Sequence, residues 1–344
     1  MIAHPLLLAV TALDLLAVMF ALAAARSWFA AHLDWAPDTS SAEQLALEAS
    51  IESASLATRW AVGLFVFATA LMVLGLTTVL PPLVPGAMCG TGVLSATEGL
   101  GSRALALRGI ALAALWVWHT LDALNGAVAR PPSIPLVARW YLLALPLLGS
   151  AVWSTLQATR QLDPHQPVRC CQAIYTAAAS PSEADAMSSL PPTVLMAALA
   201  CTLGLVAVLG LAAARARSPS LPLHGALLAA VGLGLPVAAI VLTQTLAAYH
   251  YGVLHHHCPW CLFLSEHHSV GYPIFGALTV LTLEALAAAT AAHAGQHHSM
   301  LVAPARARIR RAHLRMAFAW LLFGSLAFGP AIAWRLQYGV WMHG

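Results

Sequence analysis

The sequence predicts an all-α polytopic integral membrane protein, one bundle of about eight transmembrane helices. Of 344 residues, 60% are hydrophobic and only 8% charged, and mean hydropathy is +0.78. A soluble domain has to cover its outside with polar groups, and this chain has too few of them. The apolar residues also gather into eight runs, near 5–26, 61–81, 104–128, 138–159, 192–214, 222–249, 262–291 and 315–337. Runs of about 20 apolar residues cross a bilayer as helices. The whole chain, 1–344, reads as a single transmembrane domain, with one long polar connector at 161–191.

The first run lacks a basic leading segment and carries Asp14 in its middle. It is expected to be a retained helix rather than a cleaved leader. Ser40 with Glu43, or Ser41 with Gln44, has capping-box spacing. A helix is expected to open there and to run on into the second span. After that span, "LPPLVPGAMCGTGVLSATEGLGSR" breaks the helix with three prolines and five glycines. Gly90 and Gly92 flank Thr91 and let the chain turn tightly beside Cys89. That cysteine is either a redox group or a small apolar residue of an ordinary loop. The last span ends in "AWRLQYGVWMHG", where Trp334, Tyr338 and Trp341 suit an interfacial aromatic belt.

Orientation follows from the basic residues, all of which are arginine. With the N-terminus outside, eleven of the sixteen arginines face the cytoplasm, five of them in "ARARIRRAHLR". This is the pattern of a multi-pass protein of a bacterial inner membrane. The net charge of +3 is spread over loops and offers no face for nucleic acid. In this topology Cys89, the Cys170–Cys171 pair, Cys258 and Cys261 all fall on the outer side, where disulfide chemistry operates. Cys201 alone sits inside a span.

The densest chemistry is "YHYGVLHHHCPWCLFLSEHH", residues 249–268. Cys258 and Cys261 are spaced C-x-x-C at the expected mouth of the seventh span. In a helix starting there, Cys258 would lie at the N-terminus, where free backbone N–H groups and the helix dipole favour a thiolate. Pro259 suits the first turn. Cys258 is then expected to be the more exposed and Cys261 the deeper. The vicinal Cys170 and Cys171, beside Arg169, are expected to act as a second pair. Neighbouring cysteines form a strained, easily reduced disulfide, bond elsewhere, or bind a soft metal.

The "CPWCLF" start of a span resembles the DsbB and vitamin K epoxide reductase families of quinone-coupled membrane thiol oxidoreductases. Leu262 and Phe263 match the aliphatic and aromatic residues that follow the second cysteine in the DsbB pattern. The Glu-Arg that comes next there is Leu264 and Ser265 here, with Glu266 and His267 one place on. The resemblance covers about ten residues. It implies that Cys258 exchanges with a partner and Cys261 resolves, while Cys170 and Cys171, with Cys89, shuttle electrons from a periplasmic thiol protein. It also implies a quinone pocket at Trp260, Phe263 and His267, with Glu266 or His267 relaying protons.

Two other readings use the same residues. His255, His257, Cys258, Cys261 and His268 have the donor types of a zinc or copper site, which would make the chain a soft-metal binder or carrier. A further histidine group, His293, His297 and His298, lies at the other mouth. In the third reading the chain is a non-enzymatic membrane subunit whose cysteines staple its outer loops.

Polar residues interrupt several spans. His119 and Asp122 are three apart on one face of the third span and can hydrogen-bond, as part of a proton path or as a polar packing pair; packing is the expected role of Asp122, and that of His119 stays open. Glu284, about 34 Å along a helix from Cys261, is expected to reach the cytoplasmic surface.

Overall fold

The computed structural model describes residues 4–36, 39, 41–163, 167–168, 190–216, 219–254 and 256–342. Its described residues are all-α, with eight helices long and apolar enough to cross a membrane. These are α1 (Pro5–Asp34), α2 (Ala42–Val79), α4 (Leu100–Asn125), α5 (Ile134–Gln161), α6 (Pro192–Arg215), α7 (Leu221–Tyr251), α8 (Gly271–His297) and α9 (Ser299–Tyr338). One short helix, α3 (Gly90–Ser95), lies between α2 and α4.

Large apolar side chains such as Met19, Phe67, Leu211 and Phe318 are exposed, as a lipid solvent requires. The residues between helices are small. Ala54, Ala61 and Ala68 repeat every seven residues along α2, as do Ala305, Ala312 and Ala319 along α9, and all are buried. With no hydrophobic drive between helices in lipid, close backbone approach over small residues supplies the packing.

The bundle has two halves. Helices α1, α2, α4 and α5 pack around Trp28, Phe65, Trp118 and Tyr141, with Trp28 Nε1 donating to Thr58 Oγ1 at 3.0 Å. Helices α6 to α9 pack around Leu199, Leu227, Leu246 and Phe323. The alanine-rich end of α8 joins both: Leu281 and Ala285 belong to the second core, Ala291, Ala292 and Ala294 to the first.

The second of the two proposed caps is the one described: Ser41 accepts from Gln44 N–H at 3.2 Å, and the helix runs unbroken into the second span. Both α2 and α7 loosen into π turns near their ends, Gly75–Val79 and Leu242–Leu246. A π turn carries one extra residue per turn and commonly marks a functional end of a helix.

Two sequence expectations need correction. The seventh span does not start at the cysteines. Pro259–Phe263 is a short 3-10 turn, and α8 begins only at Gly271. Glu284 is therefore about 20 Å along α8 from its start and is buried, bound by Arg308 and by Arg315 at 2.8 Å. It does not reach the surface. Asp122 accepts from Ser55 and Arg59, both at 2.7 Å, rather than pairing with His119. His119 lies instead against the rings of Trp116 and Trp118. The ion pair between Asp14 of α1 and Arg108 of α4 is buried on both sides. Arg108 also donates to Thr69 and Thr155.

Candidate functional site: a three-sulfur centre between the two halves

Two connectors meet at one end of the bundle. The α2–α4 connector brings Cys89, and the α7–α8 connector brings Cys258 and Cys261. Their three sulfur atoms lie within 4.8 Å of one another, and all three residues are buried. Cys258 is the middle member, with its Sγ 3.4 Å from Cys89 Sγ and 3.0 Å from Thr91 Oγ1. Cys258 and Cys261 form no disulfide among the described residues.

Local structure explains the convergence. The proline-rich chain after α2 turns through Pro81–Leu83 and delivers Cys89 just before α3. Gly90 lies directly beneath the indole of Trp260: a Cβ there would stand 2.5 Å from Trp260 Cε3 and 3.1 Å from Leu76 O. Only glycine lets the two connectors close. Pro259 starts the 3-10 turn, which places Cys258 and Cys261 on one side of it. Trp260 then packs against Phe263 at 5.6 Å, Phe263 stacks on Phe275 at 5.3 Å, and Tyr272 meets Phe263 edge-on at 4.9 Å. Below them Thr77, in the π turn of α2, shares a 2.6 Å hydrogen bond with Tyr272 of α8.

Tyr251 closes the site from the α7 side. Its hydroxyl donates to the carbonyl of Cys258. Its ring lies between those of His256, at 4.6 Å, and His267, at 4.5 Å. Burial holds both histidines below the usual imidazole range, so both are neutral near pH 7.

The hydrogen bonds sort the thiols by acidity. Hydrogen bonds from Cys261 and Cys89, and then from Thr91, pull the Cys258 thiol down to about 3. Cys261 is pushed up, first by the hydrogen bond that its proton makes to Cys258 and then by burial. At neutral pH the centre thus holds a Cys258 thiolate flanked by protonated Cys261. The hydrogen bonds do the work that the sequence assigned to a helix N-terminus. Cys258 is 7% and Cys261 4% exposed, so the expected contrast of an open and a deep cysteine is absent.

The other candidate residues fall as follows. Glu266 and His268 are exposed. His257 is held away by a 3.0 Å contact from Nδ1 to the Thr243 carbonyl in the π turn of α7. His255, Cys170 and Cys171 lie outside the described residues. The described chain before the vicinal pair ends at Val168, whose N–H donates to Pro85 O at 2.9 Å, four residues before Cys89. Val168 and Trp260 pack against the same apolar cluster. Two residues were missed as members of the site, Thr91 and Tyr251. Thr91 was noted only as the residue between two glycines, and Tyr251 was one aromatic in a motif read for its cysteines and histidines.

Such a centre can do two kinds of chemistry. A thiolate with two further sulfurs within reach is set for thiol–disulfide exchange. Three thiolates also suit a soft ion: sulfurs sharing one zinc at about 2.3 Å each stand about 3.8 Å apart, close to the spacing here. Fold and site together define a polytopic helical membrane protein with a buried three-sulfur centre between its halves. No family model, curated protein or solved structure matches the chain.

Proposed function

We propose that this protein is a membrane thiol–disulfide oxidoreductase whose electrons pass through Cys89, Cys258 and Cys261. The observation that carries the reading is the position of Cys258, within reach of two other sulfurs brought from separate connectors. In the oxidised enzyme Cys258 and Cys261 share a disulfide. Cys89, as thiolate, attacks Cys258 Sγ; the Cys89–Cys258 bond forms and Cys261 leaves as thiolate. In the reverse sense the Cys261 thiolate attacks Cys258 Sγ of that bond; the Cys258–Cys261 disulfide forms again and Cys89 leaves as thiolate. Reoxidation of the Cys258–Cys261 dithiol releases two electrons and two protons, which convert a quinone to its quinol.

Cys170 and Cys171 are proposed as the pair that meets a periplasmic thiol protein, since the chain leading to them is tied to the segment preceding Cys89. Trp260 and Phe263 offer aromatic surface for the quinone, and His267, neutral and beside Tyr251, is the group proposed to pass protons. The cysteine end is proposed to face outward across a bacterial inner membrane, with both termini on that side. The arginines at the start of α9 lie at the opposite end, in keeping with the charge bias of cytoplasmic loops.

The test is stoichiometric. Purified, reduced protein is mixed with a water-soluble quinone and quinol is read by absorbance. One quinol per Cys258–Cys261 disulfide, lost in Cys258→Ser, supports the reading; no quinol from folded protein refutes quinone coupling. The same three buried sulfurs favour a second reading, a zinc or copper(I) site of Cys89, Cys258 and Cys261. One tightly held metal per chain, with thiols inert to quinone and to disulfides, supports that instead.

A further inference from the structure

At the end of the bundle away from the sulfurs, helices α6, α7, α8 and α9 enclose an open groove of about 710 Å³. Its walls are Val206, Gly210, Leu211, Leu281, Ala317 and Leu321, and Trp320 forms part of its floor. Trp320 Nε1 donates to Leu203 O at 3.0 Å, tying α9 to α6 there.

The rim is different in character. Arg306 and Arg310, one helical turn apart, line the groove and are exposed, and no carboxylate lines it among the described residues. The neighbouring Arg308 and Arg315 are committed to Glu284.

Between rim and walls sits a pair of histidines. His224 and His313 stack with centroids 5.4 Å apart and ring planes 6° from parallel. His224 is 1% exposed. Its Nδ1 lies 2.7 Å from Ser220 O and so carries the proton. Its Nε2 is buried and, like His313 Nε2, has no hydrogen-bond partner among the described residues. A buried polar atom with no partner costs free energy until something meets it.

We infer that this groove binds one anionic glycerophospholipid with a hydroxyl-bearing headgroup, of the phosphatidylglycerol class. The phosphate sits on Arg306 and Arg310, where guanidinium groups bind it by charge-assisted hydrogen bonds. A headgroup hydroxyl donates to the free Nε2 of the histidine pair. An acyl chain lies along Gly210, Ala317 and Leu321. Charge complementarity selects this occupant: an apolar slot topped by two exposed arginines accepts a zwitterionic lipid far less well than an anionic one. The inference is independent of the sulfur chemistry, which takes place at the other end.

The experiment uses full-length protein in mild detergent, read by native mass spectrometry. Phosphatidylglycerol and phosphatidylcholine of identical acyl chains are titrated, with inorganic phosphate as competitor. Phosphatidylglycerol is expected to bind once per chain, at least about tenfold more tightly than phosphatidylcholine. R306Q/R310Q should lower that affinity by roughly 30-fold, at the usual worth of about one arginine contact each. R103Q/R160Q, the same loss of charge at the cysteine end, should leave it unchanged. Gly210→Trp fills the chain track, where a Cβ meets open space, and should block both lipids with no change in charge. Equal binding of the two lipids, full retention in R306Q/R310Q, or displacement by inorganic phosphate at equal concentration would overturn the inference.

Discussion

The Sγ atoms of Cys89 and Cys258 lie 3.4 Å apart although 169 residues separate them in the chain. Each comes from a different half of the bundle, so their contact reports how the halves are joined. It also sets Cys258 between two proton donors, and the chemistry of the centre follows from that.

The first consequence is a pH profile. A group whose acidity is raised in the folded state keeps its charge down to its folded value. Cys258, at about 3, should be alkylated by a small reagent at a nearly constant rate from pH 8 to pH 5, and lose reactivity only on approach to pH 3. An ordinary thiol near 8.5 loses about tenfold per pH unit across that range. Thr91→Val removes one of the hydrogen bonds and should move the midpoint upward. Site-resolved mass spectrometry checks both; a tenfold fall per unit in the parent protein would refute the thiolate assignment.

Gly90 carries the closest approach between the connectors. Gly90→Ala must push Trp260 aside, an overpacking change that costs about 1–3 kcal/mol. It should also slow oxidant-driven formation of the Cys89–Cys258 bond. Trp260→Ala in the same chain should restore much of the rate, because the two changes act on one contact. If Gly90→Ala crosslinks like the parent, the packing account of the site is wrong.

The buried Asp14–Arg108 pair makes a different prediction. Arg108→Leu leaves a carboxylate without its partner and should destabilise the bundle by about 3–5 kcal/mol. D14L/R108L should be less damaging than Arg108→Leu alone. Unfolding in mixed micelles by denaturing detergent gives the order of stabilities, and a double variant weaker than the single one would contradict it.

Glu284 holds two arginines of unequal burial, side chains 11% exposed for Arg308 and 55% for Arg315. Exposed ion pairs contribute little and buried ones are costly to break. Arg308→Ala should therefore lower the unfolding midpoint clearly more than Arg315→Ala. Equal losses would show that screening does not separate the two contacts.

The membrane fold was legible because its signal is long: eight apolar runs of about 20 residues leave little choice in lipid, where only internally bonded backbone survives. The common end of Cys89, Cys258 and Cys261 was also legible, since parity of spans places both connectors on one side. The start of α8 was not. The apolar run continues from Leu262, but Pro259 and the packing of Trp260 and Phe263 hold that stretch in a 3-10 turn, and the left-handed His268 and Ser269 precede the helix. The error of nine residues moved Glu284 from mid-span to the surface.

Ion partners were invisible for a related reason. Asp14 with Arg108, and Glu284 with Arg308, lie on different helices, and periodicity fixes which face a residue occupies but not which helix meets it. The histidines misled by number: of 255–257, His257 binds the backbone of α7 and His256 lies against Tyr251. Sequence spacing gives no means of telling such neighbours apart.

The account rests on the sulfurs exchanging bonds with one another. The most direct measurement is a disulfide map of the full-length protein, equilibrated in thiol–disulfide buffers across a range of potentials at pH 7, acid-quenched and sequenced by mass spectrometry. The account predicts two alternative bonds, Cys258–Cys261 and Cys89–Cys258, that interconvert and shift together as the potential changes. Three thiols that stay unpaired at every potential, with one zinc or copper ion retained per chain, would contradict it.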